Sequence, residues 1–517
     1  MRKWLPLLAV SLGTFMLLLD VTIVNVALPS MATGLHASFT DLQWVVDIYA
    51  LALAALLLGV GSLADLFGRR RLYVGGLVLF AVASAVCGAA PDATTLIVAR
   101  AVQGIGAAAM FATTIALIAQ TYRGKDAGIA FGVWGAVSGA AAALGPITGG
   151  LLTEAISWRW VFFVNLPISI AAVVLTLRAF EQARPRSRPK IDVPGIAVFT
   201  AAASMITYAL IRANDAGWTS AETLGLIGAG AVALALFAVI ESLTTQPMLD
   251  LRLLKRGSFT GVVVGAAFLS ASAFASLAYT SIWLQSVIDL SPIETGLVML
   301  PLSASAFAVS AGIGRFLHDS NPRWIISGGV LLIGIGSLLQ ANLDASSSWG
   351  ALTIGLLFVG VGVGLASPTL VSTGMGAVPR ENGGMASGAV NTGRQLGFAL
   401  GIAVLGGVFQ SSIQHHLADG GTRGADALGK AVSGGGAQGV LAQVPAAQHA
   451  ALDHAIRSAV AGGLQTTYLV AGGVGIVGAA IVALLVRRPS PAPWEAKEQA
   501  EAEVSSAAGD ALTLETA

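Results

Sequence analysis

Fourteen apolar runs, each about the length of chain that crosses a bilayer, follow one another between residues 5 and 486. A membrane-crossing helix needs roughly 20 apolar residues at about 1.5 Å rise each. The runs lie near 5–29, 43–63, 72–90, 94–120, 127–152, 161–179, 194–213, 223–243, 258–286, 293–314, 324–342, 349–375, 384–411 and 465–486. Backbone polar groups must pair internally in hydrocarbon, so such a chain folds as a helix bundle. The expected fold class is an all-α integral membrane protein. Composition agrees: 11% of the residues are charged and 55% hydrophobic, with a mean hydropathy of +0.79. Soluble chains carry about a quarter charged residues. A soluble enzyme, a disordered chain and a nucleic-acid binder are excluded. The single cysteine, Cys87, lies in an apolar run and allows no disulfide framework or thiolate metal site. The start, Met1-Arg2-Lys3 before an apolar stretch, mimics a signal peptide, but Asp20 interrupts its core and no small-residue cleavage site follows. It is read as a retained first span.

Basic residues set the orientation. With the N-terminus inside, 21 of the 28 Lys and Arg fall in inner loops, five fall outside and two lie within spans. That bias follows the positive-inside rule, and both termini are expected in the cytoplasm. Trp4, Trp44, Trp158, Trp160, Trp218, Trp324 and Trp349 fall at span ends, as interfacial anchors do. Gly61 through Arg71 closes span 2, and a degraded echo, Gly312 to Asp319, closes span 10. The repetition divides the chain into a six-helix half at 1–180, a linker with two inserted helices at 181–257, and a second six-helix half at 258–486. The outer loop 412–464 is Gly-rich. From Ala447 it places Leu452, Ile456 and Val460 on one helical face suited to the outer membrane surface. The tail 487–517 is expected to be disordered.

Ionisable groups in hydrocarbon cost about 2.5–3.5 kcal/mol even on lenient insertion scales. Four sit well inside spans: Asp20, Asp47, Arg100 and Arg394. Asp20, Asp47 and Arg100 share a band roughly 6–12 Å below the outer surface, within reach of one another. One reading has Asp20 or Asp47 take up protons while Arg100 sets the carboxyl's affinity. The other is a fixed Asp20–Arg100 ion pair with Asp47 hydrated near the surface. After span 2, Asp65 is placed to accept hydrogen bonds from a facing helix N-terminus and to pair with Arg69, gating the inner side together with Gly68. In span 5, Gly135/Gly139 and Gly145/Gly149 are small-xxx-small pairs, and Pro146 introduces a kink. In span 13, Gly393, Gly397 and Gly401 form a stripe flanked by Asn391, Arg394 and Gln395. Arg394 has no acid within a span of its own half; it bonds backbone carbonyls or faces the cavity as an anion or substrate contact. The six histidines fall in loops, and His415-His416 reads as a solvated pair. No Walker loop, metal-ligand spacing or catalytic triad appears, so neither enzyme activity nor a metal is expected.

Several motifs together resemble the major facilitator superfamily, in particular its 14-span drug:proton antiporters of the EmrB/QacA type. These are Leu19 to Pro29, Leu42 to Tyr49, Gly61 to Arg71, Arg100 to Gly106, Gly145 to Gly150, Ser157 to Pro167 and Asn391 to Gly397. The resemblance covers about residues 5–486. It implies a major facilitator fold of two pseudo-symmetric six-helix halves plus two inserted helices. It also implies proton-coupled export of hydrophobic, cationic or neutral drugs across a bacterial inner membrane by alternating access. The energy source would be the proton gradient, with no cofactor, and the transporter would act as a monomer. On this footing the proton-coupling candidates are Asp20, Asp47 and Arg100. The gating candidates are Asp65, Gly68, Arg69, Gly145, Pro146 and Gly149. The candidate substrate contacts are Asp47, Asn25, Trp134, Asn391, Arg394 and Gln395. The missing embedded acid in the second half argues against selectivity for divalent cations. A dedicated exporter of one antibiotic, metabolite or lipid shares these features, and a receptor or scaffold on the same fold is the alternative of a different class.

Overall fold

A computed structural model describes residues 2–35, 37, 39–180, 192–245, 247, 249–316, 320–378, 383–422 and 424–487. Residues 181–191 at the start of the linker, the His318-Asp319 end of the span 10 echo and the tail from residue 488 lie outside the described residues.

The chain is helical throughout its described length. The helices are α1 (Leu5–Leu35), α2 (Phe39–Phe67), α3 (Arg69–Ala89), α4 (Ala93–Thr121), α5 (Gly124–Ala155), α6 (Trp160–Phe163), α7 (Asn165–Ala179), α8 (Val193–Ala216), α9 (Ala221–Leu243) and α10 (Leu251–Leu254). They continue as α11 (Gly257–Ala273), α12 (Ala275–Ile282), α13 (Pro292–Phe316), α14 (Pro322–Gln340), α15 (Thr353–Gly376), α16 (Gly383–Asp419), α17 (Ala425–Ser433), α18 (Ala437–Leu441) and α19 (Ala446–Leu485). Twelve helical segments among the described residues are long and apolar enough to cross a membrane. The expected fourteen is not reached on that criterion; the helices at spans 2 and 5, α2 and α5, run for 29 and 32 residues. Side-chain caps set several starts. Asp92 accepts from Thr95 N at 2.8 Å before α4, and Asp192 from Gly195 N at 2.9 Å before α8. Gly68, at φ 90°, makes the one-residue turn from α2 to α3, a backbone region open to glycine.

Helices α1 to α7 pack around cores holding Leu17, Tyr73, Phe80, Phe111, Trp134 and Phe162. Helices α11 to α16 and α19 pack around a separate core holding Phe409, Leu356, Ile333 and Tyr468. Two long seams join these groups: α5 lies along α13, and α2 along α16. The α5 seam is built from its glycines. A Cβ at Gly132 would meet the Ser310 carbonyl, and one at Gly139 would approach Ala306 and the Ser303 carbonyl. Helices α8 and α9 form a hairpin laid against α2 and α16.

The segment 412–464, expected to be an outer loop, differs from expectation. Helix α16 continues to Asp419, so His415 and His416 are helical rather than in a loop. Helix α19 begins at Ala446 and runs for 40 residues, about 60 Å against a hydrocarbon core of about 30 Å. Leu452, Ile456 and Val460 do share a face, but protein covers it: Ile456 and Val460 are buried and Leu452 packs against the same core. With α17 on α16, and α18 on α19, the segment forms a folded cap. Ile456→Asp should therefore lower the melting temperature of the purified protein by several degrees, since an unpaired buried polar group costs about 1–3 kcal/mol. Ser458→Asp, on the exposed face, should leave it unchanged. Equal melting of both variants would argue against the cap. Trp158 is also buried, against Gly34 of α1, rather than anchoring at an interface.

Candidate functional site

The embedded charges of the first helix group converge on Asp20. Arg100 lies seven residues into α4, roughly 10 Å along the helix axis. Its Nη1 reaches Asp20 Oδ2 at 2.6 Å, with Asp20 at 0% and Arg100 at 1% exposure. Taking two charges out of water is repaid only where further hydrogen bonds complete their coordination. Here they do. Asp20 Oδ1 accepts from Gln103 Nε2 at 2.9 Å and from Asn165 Nδ2 at 2.8 Å. Arg100 Nη1 also donates to Gln103 Oε1 at 2.7 Å, and Nε to the Val45 carbonyl at 3.0 Å. Gln103 Nε2 donates onward to Ser84 Oγ at 2.7 Å. The guanidinium lies 4.1 Å from the Tyr49 ring centroid, a cation–π contact that a buried arginine favours.

Five helices thus meet at one carboxylate: α1 supplies Asp20, α2 Val45 and Tyr49, α3 Ser84, α4 Arg100 and Gln103, and α7 Asn165. Gln103 follows Arg100 by three residues, so the two share a helix face. Asp47 lies in α2 between Val45 and Tyr49, both of which touch Arg100. The side chains of Asp47, Asn25, Asp65 and Pro146 lie outside the described residues. Asn165 Oδ1 and Tyr49 Oη are buried without a hydrogen-bond partner.

Among the gating candidates, Arg69 Nη1 donates to the Ala116 carbonyl at 3.3 Å and Gln120 Oε1 at 3.4 Å. Arg70 Nη2 donates to the Leu177 carbonyl at 2.9 Å. The turn after α2 therefore ties the last turns of α4 and α7, where cations complement the helix dipole. Gly145 packs face to face with α1: a Cβ there would collide with the Thr22 hydroxyl. Gly149, one turn further along α5, is buried as well.

The substrate candidates separate. Trp134 is 1% exposed and commits its Nε1 to Thr14 Oγ1 at 3.0 Å, so it lies in the core of the first group. Asn391 is buried, and its Nδ2 reaches across to the Phe111 carbonyl of α4 at 3.5 Å. Ser387, one turn earlier, donates to the Ala112 carbonyl at 3.0 Å. These two bonds join the helix groups on the side of the Arg69 turn. The Gly393, Gly397 and Gly401 stripe packs on α11, against Val263, Ala267 and Ala271. Arg394 and Gln395 remain partly exposed. Arg394 has no hydrogen bond or ion pair among the described residues, so the carbonyl-bonded alternative for it is not realised. No group of three or more metal-capable side chains occurs among the described residues.

A model of the Major Facilitator Superfamily matches residues 10–402, and the chain belongs to that superfamily. Among its relatives is the multidrug resistance protein Stp of Mycobacterium tuberculosis, 35% identical over 80% of this chain and 78% of that one. The tetracenomycin C resistance and export protein of Streptomyces glaucescens is 34% identical over 95% of this chain and 93% of that one. The puromycin resistance protein pur8 of Streptomyces alboniger is 36% identical over 84% and 87%. The fold matches the crystal structure of the human organic anion transporter MFSD10, with a TM-score of 0.63 at 14% identity over 93% of this chain and 99% of that one. The proton:xylose symporter XylE matches with a TM-score of 0.60 at 12% identity over 94% and 96%. This is a multi-pass membrane transporter rather than an enzyme.

Proposed function

We propose that the chain exports lipophilic small molecules in exchange for protons across a bacterial inner membrane, acting as a monomer by alternating access with both termini in the cytoplasm. The observation that carries the proton-coupled part is the cage around Asp20. A carboxylate whose oxygens are taken by two amide donors and a guanidinium is closed off from loading while the cage is shut. Movement of α1 against α4 and α7 opens the cage, parts the carboxyl from Arg100 and lets it load a proton. Reclosure returns the proton. One proton supplies about 1.4 kcal/mol per pH unit and about 2.3 kcal/mol per 100 mV, enough for gradients of roughly 100-fold when two protons move. Export as the direction is supported by relatives named for resistance and export.

The test is proteoliposomes under an imposed pH gradient, with internal pH followed as cargo is added. Wild type should move protons on addition of cargo, and Asp20→Asn should abolish the signal while still binding cargo. Normal coupling in Asp20→Asn would remove the proton role from this carboxyl, whereas a wild type that binds cargo but moves neither it nor protons would favour a receptor or scaffold. Two of the relatives are each named for a single antibiotic, which favours a second reading: a dedicated exporter with the same mechanism. A susceptibility panel of dyes, biocides and antibiotics separates the two, since a dedicated exporter protects against one chemical family only.

A further inference from the structure

We infer that Arg394 is the binding point for an acidic group on the transported molecule, a carboxylate or ionised phenol carried on an apolar ring system. The inference rests on the export reading above and names a cargo class for it. Arg394 lies eleven residues into α16, roughly 16 Å from its start and thus near mid-membrane. A permanent cation at that depth is expensive unless something neutralises it. Arg100 has that partner in Asp20. Arg394 has no hydrogen bond or ion pair among the described residues, and the acids nearest in sequence, Glu381 and Asp419, stand 13 and 25 residues away. Yet the side chain is not sealed in a dry core. It keeps part of its surface accessible, so a ligand can reach the guanidinium.

The neighbourhood fixes its setting. The glycine stripe at Gly393, Gly397 and Gly401 holds α16 against the backbone of α11, so the helix carrying the guanidinium is firmly seated. Asn391 precedes Arg394 by three residues on the same helix face and makes the bond to Phe111 that joins the two helix groups. A ligand held by Arg394 therefore sits one turn from a contact that must break for access to switch. A guanidinium offers paired parallel donors that match a carboxylate or an oxyanion pair, and a lipophilic acid supplies a negative charge that none of the described residues brings to it.

The experiment uses the full chain in lipid nanodiscs and three probes sharing one tricyclic ring: 9-anthracenecarboxylate, 9-anthracenemethanol and 9-anthracenemethylammonium. Equilibrium binding is read by ring fluorescence against empty nanodiscs. Wild type should bind the carboxylate at least about tenfold more tightly than the alcohol, and Arg394→Gln should erase that difference while leaving the alcohol and the ammonium within about twofold. Arg394→Lys should restore part of the preference. Equal loss for all three probes in Arg394→Gln would make Arg394 a structural residue and overturn the inference, as would a wild type that prefers no charge. Because binding is the readout, failure of export leaves it intact: a chain that binds the carboxylate through Arg394 but moves none of the probes in proteoliposomes contradicts the export reading alone.

Discussion

Arg100→Leu will destabilise the protein more than the double substitution Asp20→Asn/Arg100→Leu. In the single variant Asp20 keeps two amide donors, from Gln103 and Asn165, but loses its only observed countercharge in a site at 0% exposure. Breaking a buried pair from one side costs about 3–5 kcal/mol, because the remaining charge is stranded. The Val45 carbonyl also loses its donor and the Tyr49 ring its cation. In the double variant the charge is gone, and an amide at residue 20 can pair with the surrounding amides. Thermal unfolding in detergent should place the double variant above the single one. Both should fail to couple protons. If the two variants melt together, Asp20 is not held as a closed ion pair.

The second large effect belongs to α16. A side chain at Gly397 would run into the backbone of Ala267, a surface that cannot swing aside as a flexible side chain does. Overpacking of this kind typically costs about 1–3 kcal/mol, and more when backbone must shift. Gly397→Leu is therefore expected to yield little folded protein, whereas Gly473→Leu, whose added Cβ meets nothing within 4 Å, should fold normally. Size-exclusion profiles of the two variants decide it. Wild-type behaviour of Gly397→Leu would mean that α16 and α11 are not packed on their glycines.

The helix runs were legible because lipid forces length and apolarity into the sequence itself. So were Asp20 and Arg100, since a charge in an apolar run stands out without any structure. Their neutral companions were not. Gln103 and Asn165 were visible only within family motifs, and Ser84 carried no signal, because a lone amide or hydroxyl in a span looks like ordinary packing until its partners arrive from other helices. Trp134 shows the reverse limit: indole rings suit substrate pockets and cores alike, and only the Thr14 bond tells which is observed. The fold of segment 412–464 was hidden for a third reason. An amphipathic face reports that something apolar covers it and cannot say whether that is lipid or protein.

The folded cap gives the transporter a built-in pointer. Helix α17 rests on the far end of α16, the helix that carries Arg394, so any rocking of that helix must displace the cap. Cys87 is fully buried and is the chain's one thiol, which makes the natural protein close to silent towards water-soluble maleimides. A single cysteine introduced at exposed Asp426 would then carry a fluorophore or spin label alone. Rearrangements at mid-membrane could be followed from the solvent-exposed cap, in real time and without engineering the rest of the molecule.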